Sequence, residues 1–223
     1  GLGDVYKRQG ERLALVCVYL WGGPIHVGIV EAAIGGSEGG GAERLKARGL
    51  LSIEGSRAYL PWSGLRREIG EKLVRPLSSK AHALLARRAE QGTWRQCLHG
   101  FLSEESDWGE DRLLQAAAEE VRRGELHHGA EMYRALLTRV GSTPESAALA
   151  RTALAAILDQ AGQSEAVVAV LEENGPQCQG DGVRLARALR LVGEREKALG
   201  VCANWRGGGG AGAGVGDELE GKF

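Results

Sequence analysis

Between residues 78 and 206, apolar side chains recur at steps of three and four through segments rich in Ala, Leu, Arg and Glu. That spacing puts one apolar stripe on a helix. Glycines punctuate the pattern at Gly92, Gly124, Gly162 and Gly193, each after one periodic segment and before the next, with spacings of 32, 38 and 31 residues. The prediction is four helix–turn–helix units. Upstream, Leu65, Ile69, Leu73 and Leu77 stand four apart and predict a lead-in helix over 65–77, although Gly70 and Pro76 are poor residues for a helix interior. Residues 13–30 carry no Asp, Glu, Lys or Arg, and Gly22-Gly23-Pro24 divides them into two apolar runs of strand length. The break argues against a bilayer span even though the stretch reaches the lower limit for one. With the glycine tract 35–41 and the loosely alternating 50–63, residues 10–64 are expected to be irregular and Gly-rich.

The residues around the four glycines add a second level of pattern. Gly92 is followed by Trp94, small Cys97 and Phe101, and Gly124 by Leu126, Gly129 and Tyr133. Gly193 precedes Arg195, Ala198 and Cys202; after Gly162, Ala166 arrives one position early, or else Val167 takes the small site and Leu171 the large one. In the preceding helices, Leu154-Ala155 with Leu158 and Leu185-Ala186 with Leu189 place a small side chain beside large ones, as closely approaching antiparallel helices require. Period and pattern together resemble the tetratricopeptide repeat, whose period is about 34 residues. The resemblance implies an all-α fold, an α-solenoid of about four helical hairpins over 78–206 behind an irregular N-terminal region. It also implies a protein or peptide partner in the groove lined by the first helix of each hairpin. On this chain that groove would include His82, Ala86, Leu114, Ala118, Thr152, Ala156, Val183, Arg184, Arg187 and Arg190.

Composition narrows the function. With 28 basic and 29 acidic side chains the formal net charge is −1, which supplies no electrostatic reason to bind nucleic acid or an acidic membrane. Cys17, Cys97, Cys178 and Cys202 are widely spaced and form no CxxC pair, which fits a reducing, cytoplasmic setting. Residues 4–9 (DVYKRQ) resemble translated sequencing-adaptor sequence, so residues 1–9 are expected to be an artefact, and 207–223 a Gly-rich disordered tail. The chain is therefore expected to be a fragment of a larger protein.

Candidate chemistry is sparse. Glu125, His127, His128 and Glu131 cluster near a helix start, with Glu125 and His128 at i, i+3, but no other helix shows a matching ligand pair, so they read as a polar turn with no metal. The match of residues 207–212 to GxGxxG lies in a glycine tract after a helix and before none, so no nucleotide or other cofactor is expected. No nucleophile-elbow sequence is present and Cys97 occupies a packing site. Arg184, Arg187 and Arg190 form a basic stripe on one helix, read as a solvated face, with an acidic peptide as its alternative contact; Thr152, Ala156 and Asp159 do not complete a carboxylate clamp. The expected function is a non-enzymatic interaction scaffold. The alternatives are a helical regulatory domain of a larger enzyme or transcription regulator, and repeats held at a membrane by residues 11–30.

Overall fold

The computed structural model describes residues 9–35, 40–103 and 108–207. The adaptor-like residues 4–8 and the glycine tail beyond Gly207 lie outside them. The fold is helical with little strand, and it divides into two compact units, Gly1–Gly109 and Glu110–Phe223.

In the first unit, α1 (Gln9–Trp21) and α2 (Val27–Ile34) flank a two-residue strand β1 (Ile25–His26). These helices replace the two apolar runs of strand length. Ala14, Leu15, Val16, Cys17 and Val18 are all buried, so α1 is covered around much of its circumference and shows no polar face from which a helical period can be read. α3 (Gly41–Ala47) follows, its first amides held by the Glu31 carboxylate: Gly41 N–H donates at 3.1 Å and Ala42 N–H at 2.8 Å. β2 (Ser52–Glu54) and β3 (Arg57–Tyr59) form a hairpin through Gly55, whose φ of 56° suits glycine, and β1 pairs antiparallel with β3 to give the order β1-β3-β2. Residues 10–64 are thus folded rather than irregular. Their apolar side chains form a core with Leu65, Ile69, Leu73 and Leu77, all buried as their spacing predicts.

The lead-in helix does not stop at residue 77. α4 (Ser63–Ile69) passes through a π-helical turn at Gly70–Val74 into α5 (Arg75–Arg88), with Pro76 in the first turn of α5. A local π turn lets a helix absorb a proline that cannot donate to the ladder. A Cβ on Gly70 would stand 2.9 Å from the Tyr19 hydroxyl, so the glycine permits α1 to approach closely. α5 then pairs with α6 (Trp94–Leu102), which Thr93 caps by accepting the Gln96 N–H.

The second unit contains α7 (Glu110–Arg122), α8 (Leu126–Thr138), α9 (Pro144–Gln160), α10 (Ser164–Glu172), α11 (Gln179–Leu191) and α12 (Arg195–Gly207). Each packs against the next in sequence, and α9 also packs against α7 and α11. The three hairpin turns share one hydrogen-bonding pattern. Gly124, Gly162 and Gly193, at φ 87°, 70° and 92°, donate to the carbonyl three residues back at 3.0, 3.0 and 3.2 Å. The next amides, of Glu125, Gln163 and Glu194, donate five residues back at 2.9, 2.9 and 2.8 Å. This is the glycine-dependent Schellman closure of a helix. The α5–α6 link, which ends with Thr93 N–H on the Glu90 carbonyl, is different.

The fifth and ninth residues after each glycine are buried in all four hairpins: Cys97 and Phe101, Gly129 and Tyr133, Val167 and Leu171, Ala198 and Cys202. The third hairpin therefore keeps the register through Val167, not Ala166. Thr143 caps α9 by accepting the Ser146 N–H at 3.3 Å, and Pro144, which has no amide proton to leave unpaired, opens the helix.

Candidate functional site

α7, α9 and α11, the first helices of successive hairpins, pack side by side in the second unit. They carry eight of the ten groove positions expected from the sequence. Leu114, Thr152, Ala156, Val183 and Arg184 are partly exposed; Ala118, Arg187 and Arg190 are exposed. Polar bonds tie these helices together. Thr152 Oγ1 donates to Asp181 Oδ2 at 2.7 Å, and the same carboxylate accepts the Gln177 N–H at 3.3 Å and Arg184 Nη1 at 3.4 Å. Asp181 is fully buried, and these three donors together offset the cost of placing its carboxylate between α9 and α11. Arg187 Nη1 donates to Asp159 Oδ2 at 3.2 Å across the same pair of helices.

The arginine stripe is thus not a bare basic patch, since Arg184 and Arg187 have acidic partners within their own fold. At the α7–α9 side, Glu110 accepts the Thr143 N–H at 3.1 and 3.2 Å and the Thr143 hydroxyl at 2.9 Å. Partial desolvation opposes its ionisation, but hydrogen bonds from Ser146, Thr143 and Ser142 outweigh that and hold the carboxyl below its ordinary range. A carboxylate at the N-terminus of α9 also meets the positive end of the helix dipole.

His82 and Ala86 are placed elsewhere. Both are buried in the first unit, with α5 covered by α6 and α1, so neither lines an open surface of that unit. His82 Nδ1 lies 2.9 Å from His99 Nδ1, and the His99 ring stacks on Trp21 with centroids 5.9 Å apart. Burial lowers the pKa of His82 to about 4; burial, with the charges of His82 and Arg95, lowers that of His99 to about 3. The two rings share one proton along the Nδ1–Nδ1 line as a neutral pair. Sequence spacing gave no sign of the pair, because its members are 17 residues apart on different helices.

Cys17, Cys97 and Cys202 are buried cysteines; Cys178 is exposed. Burial raises the Cys17 pKa to about 12, which removes it as a nucleophile. Among the described residues no helix is long and apolar enough to cross a membrane. Compared with protein-family models, with curated proteins and with solved structures, the chain matches none of them.

Proposed function

We propose that the chain is a protein-interaction scaffold of the tetratricopeptide kind, and that α7, α9 and α11 present its binding face. The observation that carries this reading is the side-by-side packing of the three first helices, with Thr152–Asp181 and Arg187–Asp159 joining α9 to α11, Glu110–Thr143 joining α7 to the start of α9, and three turns of one pattern closing the hairpins. Each hairpin exposes an apolar side that only its neighbours can cover, which is the physical logic of helical repeats. The resulting face mixes Leu114, Ala118, Ala156 and Val183 with arginines already paired to carboxylates. It suits a peptide or helix of a protein partner that brings apolar anchors and a few acceptors, more than a densely acidic tail.

The test is a pull-down with the full-length chain as bait in extract of its source cells. Ala118→Glu combined with Arg190→Glu is expected to reduce the specifically retained protein about tenfold or more, the scale of a lost interface hot spot. Ala169→Glu, on the exposed side of α10, is expected to leave it unchanged. Equal losses on both faces, or none on either, would remove the proposal.

A further inference from the structure

We infer that the turn between α7 and α8 holds a divalent transition-metal site formed by Glu125, His127 and His128 and oriented by Glu120. One ligand atom from each of Glu125, His127 and His128 lies within 4.8 Å of the others. The two imidazole rings stand with centroids 3.9 Å apart, tilted by 48°. From the sequence the cluster lacked a contribution from a second helix; the fold supplies one. Glu120, near the end of α7, is 8% exposed, and its Oε2 lies 3.0 Å from His128 Nδ1 while Oε1 accepts Arg123 Nη1 at 3.4 Å. An ionised carboxylate can only accept, so the ring proton of His128 sits on Nδ1 and the lone pair on Nε2. A buried carboxylate on the far nitrogen of a histidine is the arrangement that fixes tautomer and ring orientation in metal sites and raises ligand basicity.

Two imidazoles and a carboxylate select a borderline ion such as zinc or cobalt over calcium or magnesium, which prefer oxygen ligands throughout. Glu120 and Glu125 also supply negative charge at the start of α8, where the helix dipole alone would repel a cation. Glu125 and His127 are exposed and free to adjust by side-chain rotation, which brings ligand atoms 4.8 Å apart to the closer spacing of a tetrahedral ion.

The experiment titrates cobalt(II), then zinc(II), into the untagged, metal-free full-length chain while following visible absorption and heat. The expected result is one equivalent of cobalt with d–d bands, no thiolate charge-transfer band, and displacement by zinc. His127→Ala, at an exposed position, and His128→Ala should abolish it. Glu120→Gln should weaken it about 10- to 100-fold, the effect of removing an orienting carboxylate. No saturable binding, a thiolate band, or a titration unchanged in His127→Ala would overturn the site; a titration unchanged in Glu120→Gln would overturn the orienting role.

Discussion

Acidification from pH 7 to pH 5 is expected to destabilise the first unit by about 2 kcal/mol for each of His82 and His99. The folded-state pKa values of about 4 and about 3 lie below the ordinary 6.5 that each ring recovers on unfolding. The unfolded chain therefore binds the extra protons. The stabilisation is fully present above about pH 6.5, declines as the pH falls toward 4 and then 3, and does not change further below that. Because the rings share a hydrogen bond, their losses combine to between about 2 and 4 kcal/mol and are not strictly additive. Urea denaturation followed by tryptophan fluorescence measures this, because Trp21, Trp62, Trp94 and Trp108 lie in the first unit and only Trp205 in the second. His82→Asn with His99→Asn keeps a donor and an acceptor but does not titrate. Its stability should lose most of the pH slope between 6.5 and 4, and an unaltered slope would show that the pair is not buried and neutral.

Gly129→Leu is expected to cost the second unit about 3 kcal/mol, the upper part of the usual overpacking range. On an exposed helix, replacing glycine with a better helix former would stabilise by about 0.5–1 kcal/mol. Here packing wins. A Cβ at residue 129 would stand 2.5 Å from Val121 Cγ2, 3.3 Å from the Ala117 carbonyl oxygen and 3.7 Å from Ile157 Cδ1, and a leucine adds three more carbons to that space. Val121 is β-branched and turns away only at a cost. Circular dichroism should show the helical transition of residues 110–207 at lower urea while the tryptophan transition stays in place. A shift of less than about 0.5 kcal/mol, the range of an ordinary surface change, would mean that α7 and α8 do not approach so closely.

These two sites mark what the sequence made legible. Gly129 stood in the small-residue position five places after Gly124, and the structure gives the reason in Val121 and Ala117. The turn glycines were readable because a left-handed residue ends the helix before each of them. The lead-in helix was readable from its four-residue spacing, but not its extension, since the π turn and the Tyr19 contact that accommodate Gly70 and Pro76 depend on α1. α1 itself was hidden because a helix buried on most sides looks like a strand when a proline cuts its apolar run short.

The pairings across helices were beyond local spacing altogether. His82 was assigned to a groove by analogy, yet α6 and α1 cover it; Glu120 was not singled out, yet it reaches His128 eight residues away. That eight of the positions expected for a groove lie on α7, α9 and α11 was legible because apolar periodicity and the turn glycines mark which helix precedes each turn. What this pattern could not give is the neutralisation of Arg187 by Asp159, which depends on how neighbouring hairpins register; the Asp181–Arg184 pair, three residues apart on α11, is a local spacing that went unread.

The most direct test of the proposed binding face is site-specific photo-crosslinking in the source cells. A photoreactive residue is placed in turn at Ala118, Ala156 and Val183, on α7, α9 and α11, and at Ala169 and Leu199, on α10 and α12. The account predicts that the first three positions crosslink to one and the same protein and the last two do not. Crosslinks to that protein from Ala169 and Leu199, with none from the first three, would contradict it.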